Sequence, residues 1–136
     1  MILIDLNVLL DVVQKREPHF NASAAVLSKV VRGNVTGALP IHACTTLFYI
    51  VERYQNQAKA NEVIDWVLHH FEIAPAGRPE ILRARELNWP DFEDAVVAAS
   101  AQSASCRVIV TRNVVDFFES PVLALTPQEY LYETDG

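Results

Sequence analysis

The chain has 136 residues, 51% hydrophobic and 21% charged, a composition that excludes a disordered protein and suits one domain with its own core. Seventeen acidic residues against eleven Lys and Arg leave a formal net charge of −6, which excludes a protein that coats nucleic acid through a basic surface. It does not exclude a nuclease, because an acidic metal site adds negative charge that a bound divalent ion offsets.

Ile2 to Ile4 form a short apolar run that suits a central strand of a parallel sheet, and Asp5 ends it. Ligands gather outside the carboxyl ends of such strands. Asp5 therefore reads as a functional acid or as a helix cap, and Asn7 can supply the cap without it. A helix over 7–14 follows and breaks at Lys15-Arg16-Glu17-Pro18. A second helix opens at Asn21 or Ser23 and stops at Gly33-Asn34. Val35 to Ile41 predicts a strand weakened by Gly37 and closed by Pro40. Helices over 42–54 and 58–70 come next, the second with Val63, Ile64, Trp66, Val67 and Leu68 towards the core. Phe71 to Pro75 is a short strand, and Pro79 starts a helix through Leu87. Trp89-Pro90 breaks the chain before a helix from Asp91 to Ala104. Val108, Ile109 and Val110 predict a buried strand, 113–118 a short helical turn, Val122 to Leu125 the last strand, and Pro127 a terminal helix to Tyr132 with a loose tail over 133–136. The alternation implies an α/β fold with a central parallel sheet of four to five strands flanked by helices, as one domain over 1–136.

Cys44 and Cys106 match no zinc spacing and read as buried thiols of a reduced, cytoplasmic protein. The start of the chain carries no basic segment followed by a long apolar run, so neither a signal peptide nor a membrane span is expected.

Three stretches share one address, the carboxyl end of a strand or the helix that faces it: Asp5, Asp91-Phe92-Glu93-Asp94, and Thr111-Arg112-Asn113-Val114-Val115-Asp116. The alanine-rich run after Asp94 lets its helix approach the sheet closely and brings Asp94 towards Asp5. Converging carboxylates repel unless a cation joins them. Oxygen donors select hard ions, so Mg²⁺ or Mn²⁺ is the expected cofactor, and such an ion activates water and clamps a phosphoryl oxygen. Each residue also has a plainer role. Asp91 is a good helix N-cap with Asp94 as the third residue of a capping box, and the cap is the favoured role for Asp91. Thr111 and Asn113 suit the cap of the short turn, and Asp116 suits its surface. His19, His42, His69 and His70 are scattered, and Glu52 with Arg53 suits a solvated helix face.

The opening Met1-Ile2-Leu3-Ile4-Asp5-Leu6-Asn7-Val8-Leu9-Leu10-Asp11, the stretch Asp91-Phe92-Glu93-Asp94-Ala95, the stretch 110–117 and the ending 120–131 together resemble the PIN domain family, close to its single-domain ribonuclease toxins of the VapC type. The resemblance implies a metal-dependent endoribonuclease, an antitoxin partner that silences it, an RNA substrate and a homodimer. By position it implies Asp5 and Asp94 as metal ligands, Asn113 and Asp116 completing an acidic pocket, and Thr111 supporting it by hydrogen bonding. Arg112 is then expected to touch the RNA backbone as a positioning cation. One departure stands out. The family usually carries a Glu near the start of the helix after the second strand, where this chain reads Ile41-His42-Ala43-Cys44-Thr45, and Glu52 follows a turn or more too late.

The pocket then holds Asp5, Asp94, Asp116 and Asp91 at most. This leaves an alternative, a degenerate PIN domain that binds RNA or protein without cutting. A receiver-type phosphoacceptor is disfavoured, since Lys15, Lys29 and Lys59 all lie early. The apolar stretches 8–13 and 47–51 either fill the core or leave a groove for an antitoxin segment or a second copy.

Overall fold

The structure, a computed structural model, describes residues 1–135. Its elements in chain order are β1 (Ile2–Ile4), α1 (Leu6–Val13), α2 (Phe20–Val31), β2 (Gly37–Leu39), α3 (Ile41–Tyr54), α4 (Gln57–His70), β3 (Phe71–Ile73), α5 (Arg78–Leu87), α6 (Phe92–Ser103), β4 (Val108–Val110), a 3-10 turn (Val114–Phe117), β5 (Leu123–Leu125) and α7 (Pro127–Asp135). The five strands form one parallel sheet in the order β3-β2-β1-β4-β5. The chain winds outward from β1 to β2 and β3 on one side, then crosses over to β4 and β5 on the other. The carboxyl ends of β1 and β4 therefore flank the point where the winding reverses, which is where such sheets hold ligands.

β1 is buried throughout. Its period-two alternation sends Ile2 and Ile4 to one face and Leu3 to the other. The Ile2 and Ile4 face is covered by residues of α1, α2, α3, α4 and α7, including Leu9, Val26, Leu47, Val67 and Tyr130. Leu3 and Ile109 meet α6 through Val97, Ala98 and Ala101. On its second side α6 packs Ala95 and Ala99 against Ala84 of α5. The alanines thus let one helix lie close to the sheet and to α5 at once, as the composition of that stretch implies.

Several local expectations are corrected. Gly37 does more than weaken β2. A Cβ there would lie 2.8 Å from a Val30 methyl, so the close passage of α2 over the strand requires glycine. On α4 only Ala60 and Val67 are buried, while Trp66 and Leu68 are exposed. The stretches 8–13 and 47–51 mostly fill the core through Val8, Leu9, Leu10, Leu47 and Val51, with Val13 and Tyr49 exposed. α7 continues past Tyr132 to Asp135, whose carboxylate pairs with Lys29 Nζ at 2.6 Å; of the tail expected to be loose, Gly136 lies outside the described residues. Cys106 is buried, but Cys44 is only half-buried. Among the described residues no helix is long and apolar enough to cross a membrane.

Candidate active site

The pairing of Ile4 with Val110 sets the residues that follow, Asp5 and Thr111, side by side. Both backbones continue the sheet, Asp5 N–H donating to Val110 O at 3.0 Å and Thr111 N–H to Leu125 O at 2.9 Å. The Thr111 hydroxyl donates to Asp5 Oδ2 at 2.8 Å and accepts from the Asn113 N–H at 3.1 Å. The Asn7 amide nitrogen donates weakly to Asp5 Oδ2 (3.4 Å) and Thr111 Oγ1 (3.3 Å), and Asn7 Oδ1 accepts from the Arg112 N–H at 3.1 Å. The Thr111 hydroxyl thereby uses its one proton and both lone pairs. Asp5 is also the N-cap of α1, its Oδ1 accepting from Leu6 N–H at 2.9 Å. The cap expected of Asn7 falls to Asp5, and Asn7 is free to brace the β4 loop instead.

Asp5 forms the buried floor of a pocket that Asn7, Arg16, His42, Asp91, Glu93, Asp94, Asn113 and Asp116 also line. Asp94 is half-buried, while Asp91, Glu93, Asn113 and Asp116 are exposed at its rim. Burial is the largest influence on Asp5 and raises its carboxyl above the usual range, against the pull of the Thr111 and Leu6 hydrogen bonds. Asp94 is pushed up to about 7, by burial first and then by the charges of Asp91, Asp5, Asp116 and Glu93. These acids crowd one another in the absence of a cation.

Asp91 takes the cap role, its Oδ1 accepting from Asp94 N–H at 3.1 Å, and still lines the pocket. The residues singled out in the sequence thus come together, with one relocated. Arg112 does not reach into the pocket. Its Nε lies 2.9 Å from the buried Asp11 carboxylate, which neutralises it. Three polar lining residues are additions to the set named from the sequence: Arg16, His42 and Glu93. Glu93 precedes Asp94 in the first turn of α6, a position that already pointed to it. His42 stands in the first turn of α3, and its Nε2 lies 3.5 Å from Glu93 Oε1. Glu52 is exposed and does not line the pocket. The five lining carboxylates are therefore Asp5, Asp91, Glu93, Asp94 and Asp116, more than the sequence suggested.

A family model described as the PIN domain matches residues 1–115. Ribonuclease VapC1 of Aquifex aeolicus (strain VF5) is 25% identical over 134 residues, spanning 95% of this chain and 92% of that protein. Among solved structures, a toxin–antitoxin complex from Klebsiella pneumoniae superposes with a TM-score of 0.73 at 20% identity, over 93% of this chain and 98% of the other. VapC20 of Mycobacterium tuberculosis, described as a sarcin–ricin loop cleaving toxin, superposes with a TM-score of 0.70 at 11% identity, over 93% of this chain and 100% of the other. These superpositions agree in fold with the parallel sheet and its flanking helices. Because the family model spans most of its length, from the β1 acid to the loop after β4, the chain belongs to the PIN domain family.

Proposed function

We propose that the chain is a metal-dependent endoribonuclease, the toxin of a toxin–antitoxin pair, hydrolysing RNA phosphodiesters at the Asp5–Asp94 pocket. The observation that carries this reading is the convergence of five carboxylates on the reversal point of the sheet, with Asp94 held up to about 7 by burial and then by the charges around it. An all-oxygen donor set of this kind fits a hard divalent ion. Among the described residues, no three His, Cys, Asp or Glu side chains form a ready coordination set. Mg²⁺ and Mn²⁺ sites in proteins are commonly built from one or two carboxylates together with water and phosphate oxygens.

Asp5 and Asp94 would hold the ion. When bound, it would neutralise phosphoryl charge and make water a competent nucleophile. The chain's own groups do the rest. Thr111 and Asn7 fix the Asp5 carboxylate by the hydrogen bonds above. Asp91 caps α6 and so sets the turn from which Asp94 projects. Asp116 offers an exposed carboxylate to take or orient a proton on the attacking water, and Asn113 beside it offers an amide to a phosphate or sugar oxygen. Arg112 is spent on Asp11, so the backbone contact expected of it passes to Arg16. The Arg16 side chain lines the pocket and forms no ion pair among the described residues.

The similar solved structure from Klebsiella pneumoniae is a toxin–antitoxin complex. We infer the same kind of antitoxin partner for this chain, and a homodimer. The non-catalytic alternative rested on a shortage of acids, and Glu93 in the pocket weighs against it.

The test is cleavage of a panel of structured RNAs by the purified chain with Mn²⁺, with Mg²⁺ and with EDTA, beside Asp5→Asn and Asp94→Asn. Metal-dependent cleavage lost in both variants is expected. Cleavage that persists in EDTA or in folded Asp5→Asn protein overturns the assignment.

A further inference from the structure

The loop carrying Thr111, Asn113 and Asp116 is tied to α1 by an ion pair, between a half-buried Arg112 and a buried Asp11, that the chemistry above does not use. Asp11 of α1 is fully buried. Its Oδ2 lies 2.9 Å from Arg112 Nε and accepts from the Ser23 hydroxyl of α2 at 2.9 Å. The Arg112 backbone N–H is held separately, by Asn7 Oδ1 at 3.1 Å. Arg112 is thus gripped at both its side chain and its backbone, between Thr111 and Asn113. The arrangement is not a good bargain for stability. Asp11 Oδ1 has no hydrogen-bond partner, and Arg112 Nε is close to its carboxylate without being aligned for a hydrogen bond. A buried pair that leaves an oxygen unsatisfied is commonly no better than apolar side chains of the same volume. What the pair does accomplish is to fix the loop in place: three elements, α1, α2 and the segment after β4, meet at one carboxylate.

We propose that Asp11 and Arg112 form a latch, a pair of positioning residues that holds the 111–116 loop against α1 so that Asn113 and Asp116 face Asp5 and Asp94 across the pocket. Its catalytic consequence rests on the nuclease reading above; its effect on the loop does not. A loop released from α1 still binds RNA through Arg16 and the pocket wall, but it misplaces the groups that meet the reacting phosphate. The loss falls on kcat and spares KM.

The full-length chain and its variants Asp11→Asn, Asp11→Asn with Arg112→Met, and Val67→Ala are compared. Val67 is buried on α4, which contributes nothing to the pocket, and serves as the control for plain destabilisation. Urea unfolding gives stability, amide hydrogen exchange reports on residues 111–118, and RNA cleavage with Mn²⁺ gives kcat and KM. Asp11→Asn is expected to lose stability, to exchange faster in 111–118 than Val67→Ala does, and to lose kcat on the order of tenfold to a hundredfold with KM within about twofold. The double variant buries no unpaired charge, so its stability returns while its loop exchange stays fast and its kcat stays low. Recovery of kcat along with stability overturns the latch, as does loop exchange no faster than in Val67→Ala. If the double variant does not fold, Ser23→Ala takes its place, since it withdraws one bond from Asp11 and leaves both charges; loop exchange must again exceed the control. A wild-type chain that cleaves no RNA overturns the nuclease reading, and the exchange data still decide the latch.

Discussion

Replacing Asp94 by Asn should abolish cleavage and at the same time stabilise the metal-free protein, by an amount that depends on pH in a fixed direction. The Asp94 carboxyl is raised from 3.8 to about 7 by burial and by Asp91, Asp5, Asp116 and Glu93. Between those two values the folded chain holds a proton at Asp94 that the unfolded chain has released. Stability from this group is therefore complete below about 3.8 and is lost as pH rises through about 7. At about 1.4 kcal/mol per pH unit the full interval corresponds to about 4 kcal/mol. Solvent screening of a half-exposed side chain reduces that to about 1–2 kcal/mol. The Asp94 side chain makes no hydrogen bond among the described residues, and its backbone N–H, which donates to Asp91, survives the substitution. Asn thus removes the repulsion and sacrifices no bond. Urea unfolding in the presence of a chelator should show Asp94→Asn more stable than wild type by about 1–2 kcal/mol at about pH 8.5, with the gap closing towards about pH 4. Mn²⁺ at about a hundredfold its dissociation constant should then stabilise the wild type by about 2.7 kcal/mol and leave Asp94→Asn nearly unmoved. A gap of the same size at both pH values, or a variant less stable than wild type in alkali, refutes the claim that burial and the pocket acids keep Asp94 protonated to about 7.

Thr111→Val removes the buried hydroxyl that donates to Asp5 and leaves that oxygen and the Asn113 N–H short of a partner, at a cost of about 1–3 kcal/mol in urea unfolding. The hydroxyl is the strongest influence lowering the Asp5 carboxyl, so the acidic limb of the pH–rate profile should move to higher pH; an unmoved limb argues against it. Arg16→Gln should raise KM for RNA with kcat within about twofold, and should shrink the salt dependence of RNA binding by about one phosphate contact regardless of sequence. Unchanged KM and salt slope would remove Arg16 from the RNA path. Glu80 is buried, and its carboxylate accepts from the Ser103 hydroxyl and the Gly77 N–H at 2.7 Å each, which hold it below its usual 4.5. Its charged form therefore contributes stability above that value, which is lost as pH falls through the lowered one. Thermal melting of Glu80→Gln should start below wild type near neutrality and converge with it in acid, and parallel curves would count against the staple between α5 and α6.

The fold was legible where one periodicity ruled. The apolar triplets of β1 and β4 and the alanine run of α6 each fix an element and its neighbours at once, so the parallel sheet and the approach of Asp94 to Asp5 follow from residue types alone. Legibility failed where the decisive partner is distant in sequence. Gly37 looked like a weakness in β2 because the reason for it, Val30 on α2, is invisible to local pattern. Hydrophobicity alone places Trp66 and Leu68 in the core, yet they project from the solvent side of α4. Asp5, Asp94, Asn113 and Asp116, which line one pocket, stand out in the sequence because each sits at a strand end or a helix start. Arg112 was misread for the opposite reason. Its neighbours in sequence are site residues, and its counter-ion, Asp11, lies about a hundred positions away.

The absent helix acid is best understood through the same long-range logic. Counting carboxylates along the chain points to a depleted site, because the opening of α3 carries no acid. Space tells it differently: His42 and Glu93 lie 3.5 Å apart across the α3–α6 junction, and both line the pocket. The carboxylate on that wall comes from α6, one residue before Asp94. This concentrates three acids, Asp91, Glu93 and Asp94, in a single helix start, where the exposed N–H groups and the helix dipole favour negative charge. Even that field is insufficient, since Asp94 still retains its proton to about 7. A divalent ion joining Asp5 to Asp94 would displace that proton. Cation affinity and proton release are thus one linked event, and the pocket should take up its metal more readily as pH rises to the point where Asp94 is already ionised.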